Sequence, residues 1–240
     1  RTMFGSIDSV GAIDVDVAGH GSHVAGIIAA VADNAIGGSG VAPQSRILPI
    51  RVLDAQGSGD SKDVSKAVRF AVDSGAKVIN LSLGGATEST SLTAAIQYAV
   101  DRNVLVVAAA GNGAADSPPK WPGASDLTIA VTAVDRNNSV TSFDQRGDYI
   151  DLAAPGASIL STASNDYKIQ SGTSMAAAFV TGDSADMLSG LETRWYIDIL
   201  DGKDVLANSG AAGVYEGPQV WSEATYAYHP GDPSGDVYGA

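Results

Sequence analysis

The 240 residues are 45% hydrophobic and include 28 glycines, enough for one α/β domain with a sizeable core. No apolar run approaches the roughly 20 residues that span a bilayer, and the lack of cysteine excludes disulfides, thiolate metal sites and a cysteine nucleophile. A formal charge of −13 argues against a nucleic-acid partner.

The chain begins at Arg1 without the pattern of a secretory leader, as expected of a processed product or a fragment. HVAGIIAAVA (23–32) reads as a buried helix of small residues. RILPIRVL (46–53) reads as a strand. SKDVSKAVRFAVDSG (61–75) reads as an amphipathic helix with Ser61 capping its start and Gly75 its end. Then come a buried strand, KVINLSLGG (77–85), a helix, SLTAAIQYAVDRN (91–103), and a strand, VLVVAAAGN (104–112). Two further strands are expected at 127–134 and 149–156, and a helix at 174–188. Apolar strands separated by helices predict a mainly parallel sheet covered on both faces, a three-layer αβα sandwich. Ligands of such sheets sit beyond the strand C-terminal ends, here at Gly84–Gly85 and Gly111–Asn112.

Three segments carry chemistry. GHGSHVAG (19–26) sets His20 at the mouth of a helix, where a general base can stand at a cleft edge. For an isolated histidine a packing or capping role is the commoner one. Zinc is a further alternative, since His20 and His23 are three apart, but there is no HExxH pattern and no third ligand nearby. SGTSMAAAFVTG (171–182) puts Ser174 just before a helix, whose N-terminal N–H groups favour an oxyanion; a plain N-cap serine is the alternative. VVAAAGN (106–112) ends in Asn112, an oxyanion donor or simply a turn residue. The esterase elbow GxSxG is not matched, because Ala176 replaces the second glycine.

GHGSHVAG, SLGG, VVAAAGN, AAPG and SGTSMAA, in that order on that alternation, resemble the subtilisin-like serine proteases, especially their thermitase-like bacterial members. The resemblance covers about residues 17–182. It implies a secreted endopeptidase, with His20 as general base, Ser174 as acyl-forming nucleophile and Asn112 in the oxyanion hole. By the same resemblance Ser82, Leu83 and Gly84 pair with an extended polypeptide substrate, and Ala109, Ala110 and Gly111 wall the primary pocket. Lys120 stands at the floor of that pocket, where it favours an acidic substrate side chain or else extends its ammonium to water. The Trp121–Pro122 bond is expected to be cis. ADNAIGGSGVAP (32–43) resembles a calcium loop, with the carbonyls of Ala32, Ile36 and Gly38 and the side chain of Asn34 as ligands; the alternative is an uncharged turn. No nucleic acid or membrane is implied, and a monomer is expected.

The chain also departs from the family pattern. The acid of the triad normally ends an apolar strand some thirty residues or more before the histidine, but only 19 residues precede His20. Of Asp8, Asp14 and Asp16, none follows a buried apolar strand, so the acid is expected upstream of Arg1 and the domain (1–190) is expected to be N-terminally incomplete. A silent peptide-binding relative or an inactive fragment is therefore the alternative function. Asp183 and Asp186 fall in a helix that is otherwise apolar, and are costly if buried unpaired. Residues 183–240 carry 10 acidic and 2 basic side chains, and 191–240 read as a divergent tail, with a strand pair expected in 191–210.

Overall fold

The computed structural model describes residues 7–8, 16, 19–163, 166–190, 226–227 and 238–239. Strand β1 (Ile7–Asp8) precedes helix α1 (His20–Ala29) and strand β2 (Ile50–Arg51). Next come α2 (Ser61–Asp73), β3 (Val78–Leu81), α3 (Thr90–Val100), β4 (Leu105–Ala109), β5 (Ile129–Val134) and β6 (Leu152–Pro155). The strands β7 (Ile159–Thr162) and β8 (Tyr167–Gln170), helix α4 (Thr173–Gly190), β9 (Tyr226–Ala227) and β10 (Tyr238–Gly239) complete the order.

The main sheet runs β10-β9-β6-β5-β4-β3, and its strands β3 to β6 are parallel, as expected. Strand β4 shows why it needs cover on both sides. Val106 and Ala108 face a core cluster built with α2 and α3, whereas Val107 and Ala109 face α4. That alternation is the period-two geometry of a strand. Helix α1 packs through Val24, Ile27 and Ile28 against Met175 and Ala178 of α4. The three-layer arrangement follows, with α2 and α3 on one face and α4, backed by α1, on the other.

Several expectations need correction. The first helix begins at His20, three residues earlier than the apolar run suggests. Of the strand expected over 46–53, the pairing seen among the described residues is at Ile50–Arg51, which runs parallel to β1. Asp60, not Ser61, caps α2, its carboxylate accepting from Lys62 N–H at 2.7 Å. Gly75 does close that helix: at φ 85° it takes the left-handed turn that a side chain resists, and its N–H reaches the Val72 carbonyl. The antiparallel pair β7–β8 was not expected. It packs on α1 while leaving Leu160 and Ile169 exposed. In the acidic tail, Tyr226–Ala227 pairs antiparallel with β6; the strand pair expected in 191–210 lies outside the described residues.

Candidate active site

The C-terminal ends of β3 and β4 release the segments 82–85 and 110–112, and the N-terminus of α4 meets them there. Ser174 is the second residue of α4 and half-buried. Its hydroxyl donates to the Ser82 carbonyl at 3.3 Å, and the Ser82 hydroxyl donates back to the Ser174 carbonyl at 2.7 Å. The serine is thus held on the strand end. Among the described residues its hydroxyl makes no hydrogen bond to the His20 ring.

Asn112 is exposed, but its amide is oriented. Oδ1 accepts from Thr173 N–H at 2.8 Å and from the Thr173 hydroxyl at 3.0 Å. With Oδ1 engaged, Nδ2 is left as the outward donor, 3.1 Å from where a side chain on Gly172 would begin. Thr173 in turn accepts from Gly111 N–H at 3.1 Å, so one buried hydroxyl ties the end of β4 to the start of α4. Sequence reading missed Thr173. Its only signal was its place just before Ser174 in the GTS segment.

His20 opens α1 behind Gly19, which is left-handed at φ 72°. Asp16 fixes this start by accepting from Gly19 N–H at 3.0 Å and Ser22 N–H at 2.6 Å. Burial pulls the His20 imidazole below its ordinary pKa; the Asp16 carboxylate opposes the shift and His23 adds to it. The ring is therefore biased towards the neutral form that a general base needs. His23 is different. Its Nε2 lies 3.1 Å from the Ile159 carbonyl and 2.9 Å from the Lys168 carbonyl, so that nitrogen carries the proton and ties α1 to β7–β8. Among the described residues no three His, Cys, Asp or Glu side chains cluster as metal ligands do.

The segment 82–85 is partly occupied along its edge. Gly85 bridges antiparallel to Trp121, with N–H to carbonyl distances of 2.8 and 3.0 Å. Leu83 packs against the α2–α3 core, so its backbone rather than its side chain is on offer. The Trp121–Pro122 peptide is cis. Lys120 is half-buried, and its stem runs between two glycines. A side chain on Gly84 would meet its Cβ at 3.3 Å, and one on Gly111 its Cγ at 2.7 Å. Gly111, at φ 116°, is also closely approached by the buried Gln145 carboxamide. Gln145 donates to the carbonyls of Ser117 and Pro118, while its Oε1 has no partner among the described residues. No sequence signal marked it as a pocket residue.

The loop carrying Ala32, Asn34, Ile36 and Gly38 is largely exposed. Left-handed residues alternate along it at Asp33, Ala35 and Gly37. Asn34 Oδ1 accepts from Ile36 N–H at 2.9 Å and keeps a second lone pair. Carbonyls plus a carboxamide form the hard-oxygen set that calcium takes, and this part of the donor chemistry fits. Four such oxygens fall short of a full calcium shell of six to eight.

A family profile described as the subtilase family matches residues 8–212. The chain is 41% identical over 176 residues to the thermophilic serine proteinase of Bacillus sp. (strain AK1), covering 73% of this chain and 44% of that protein. It is 41% identical over 198 residues to thermitase of Thermoactinomyces vulgaris, covering 74% of this chain and 71% of that protein. Halolysin of Haloferax mediterranei is 47% identical over 165 residues, which is 68% of this chain and 31% of that protein. Among solved structures, sphericase superposes with a TM-score of 0.71 at 33% identity, covering 82% of this chain and 76% of that one. A cold-adapted subtilisin-like serine proteinase superposes with a TM-score of 0.68 at 35% identity, covering 77% and 68%.

Proposed function

The chain belongs to the subtilase family, and from that premise we propose that it is a serine endopeptidase that hydrolyses peptide bonds through an acyl-enzyme on Ser174. The observation that carries this reading is the Thr173 clamp on Asn112. It engages Oδ1 and leaves Nδ2 as the free donor beside Gly172, two residues before Ser174 at the start of α4. Together with the Ser174 N–H, that donor stabilises the oxyanion of a tetrahedral intermediate. His20, biased neutral by burial, takes the Ser174 proton as the serine leaves the Ser82 carbonyl and attacks, then returns it to the leaving amine.

Asp8 is our candidate for the acid that orients His20. It ends β1, which runs parallel to β2, and the family match begins at that residue. Asp16 suits the role less well, because its carboxylate already caps α1. The substrate is an extended polypeptide lying along Ser82, Leu83 and Gly84, with Ala109, Ala110, Gly111 and Lys120 around its primary side chain. Ala32, Asn34, Ile36 and Gly38 would hold a structural calcium ion, which would stiffen the loop leaving α1. The protein works outside the cell as a monomer, a reading that follows the family and is suited by its charge of −13.

A fluorophosphonate probe tests the reading. It is expected to label Ser174 in the parent chain and to label neither Ser174→Ala nor His20→Ala. A second reading, a silent relative that only binds extended peptides, draws on the Ser174 hydroxyl resting on the Ser82 carbonyl. An unlabelled parent chain that still binds peptide would establish it. Weak labelling in Asp8→Asn is expected; full labelling would move the acid elsewhere. Calcium predicts a lower melting temperature in chelator, since a ligand of the folded state alone stabilises that state.

A further inference from the structure

We propose that Asn112 is a site of spontaneous backbone-assisted deamidation, and that this reaction limits the working life of the active site. The consequence for activity rests on the role given to Asn112 above, whereas the modification itself does not. Asn112–Gly113 is the only Asn-Gly pair in the 240 residues. With no Cβ on the following residue, the backbone nitrogen of Gly113 can approach the Asn112 carboxamide without steric hindrance. Both residues are exposed to water. Among the described residues, the Gly113 N–H makes no hydrogen bond that its deprotonation would break.

The surroundings of the carboxamide favour the same step. Gly113 N attacks Asn112 Cγ, forming the N–Cγ bond of a five-membered succinimide. As that bond forms, negative charge develops on Oδ1. Thr173 N–H and the Thr173 hydroxyl already donate to Oδ1, at 2.8 and 3.0 Å. The clamp that orients Asn112 for catalysis is therefore also an oxyanion site for its own destruction. The Cγ–Nδ2 bond then breaks and Nδ2, which has no hydrogen-bond partner among the described residues, leaves as ammonia with the proton lost from Gly113 N. Water opens the ring at either carbonyl, giving Asp or isoaspartate at position 112. Either product carries a carboxylate where the carboxamide stood. At neutral pH it has no proton to donate, and its charge opposes an oxyanion beside it.

Two measurements on the full chain test this. In Ser174→Ala, which removes autolysis, the protein is incubated folded at mildly alkaline pH and then cut with trypsin. Residues 103–120, between Arg102 and Lys120, are read by mass spectrometry. Conversion of amide to acid at Asn112 is expected well ahead of conversion at Asn138, an exposed asparagine followed by Ser139. Isoaspartyl methyltransferase should mark the same peptide. Adding Thr173→Val is expected to slow the conversion several-fold. So is Gly113→Ala, made with Ser117→Gly because a methyl on Gly113 would otherwise meet Ser117 Cβ at 2.6 Å. Asn112 remaining intact while Asn138 converts, or both converting at one rate, would overturn the proposal. In parallel, fluorophosphonate labelling of the parent chain should fall as Asn112 converts, the converted fraction labelling about a hundredfold more slowly. Conversion without loss of labelling would leave the modification standing and remove Asn112 from the catalytic machinery.

Discussion

From Thr173 to Val180, α4 buries Met175, three alanines and Val180, and its one buried polar side chain, Thr173, has partners on both sides. From Thr181 to Ser184 burial is just as complete, but the polar groups fare unequally. Thr181 donates to Asn80 Oδ1 at 2.9 Å and Ser184 to the Val180 carbonyl at 2.7 Å, while Asp183, only 3% exposed, has no partner for Oδ2 among the described residues. One helix thus holds two kinds of buried polar residue. Its front half has each donor and acceptor matched and carries the groups proposed for catalysis. Its back half carries a carboxyl that nothing in the proposed chemistry uses. Burial itself does not decide what a polar group costs; the partner does.

The largest expected effect lies in the back half. Burial pushes the Asp183 carboxyl from 3.8 up to about 7, with the Asp186 charge adding to the shift. A raised carboxyl pKa means that the folded state holds a proton the unfolded state releases, so stability falls as pH climbs from about 4 to about 7 and stays low above. At about 1.4 kcal/mol per pKa unit, the loss is on the order of a few kcal/mol. Asp183→Ala is expected to recover most of it at pH 8 and little at pH 4, and to leave fluorophosphonate labelling of Ser174 unchanged. Urea unfolding at the two pH values reads the difference. No gain at pH 8, or a loss there, would show that Asp183 has found a partner and that the two halves of α4 are alike.

The same contrast marks what sequence could and could not reveal. Asp183 stood out as an anomaly because it falls in a helix that is otherwise apolar. The family was legible because glycines and small residues around His20, Asn112 and Ser174 leave motifs, and the sheet because β3 to β6 are apolar and bounded by turns. Thr173 and Gln145 were not legible, since their partners at Asn112, Gly111, Ser117 and Pro118 lie 27 to 62 residues away along the chain. The pair β7–β8 escaped because Leu160 and Ile169 face outward, so its apolar residues do not mark a buried strand.

A smaller effect is expected in the front half. Thr173→Val keeps the volume and removes the hydroxyl that joins Gly111 N–H to Asn112 Oδ1. The Thr173 N–H still holds Asn112, so the amide is loosened rather than lost. We expect kcat to fall about tenfold with KM nearly constant, because the oxyanion contact is made in the transition state and not in the ground state. Thr173→Ser should restore most of it. A purely structural threonine would instead lower the melting temperature in both variants and leave the kcat-to-KM split untouched.

The smallest effect concerns the other helix start that feeds the site. Front-half α4 positions its groups by hydrogen bonds between neutral atoms, whereas α1 begins on a charge. Asp16 caps the first turn and also lies near enough to His20 to favour its imidazolium, against the larger pull of burial towards the neutral ring. The acid limb of kcat/KM, which reports the free enzyme's base, is therefore expected below the ordinary imidazole value of about 6.5. Asp16→Asn keeps a carbonyl acceptor for the first turn and removes the charge. With that opposing influence gone, the limb should move further down, by a fraction of a pH unit. The direction is the decisive part. A limb that moved up would mean that Asp16 acts on His20 by holding the ring away from solvent rather than by its charge. A limb that stayed still while the helix loosened would confine Asp16 to its capping role.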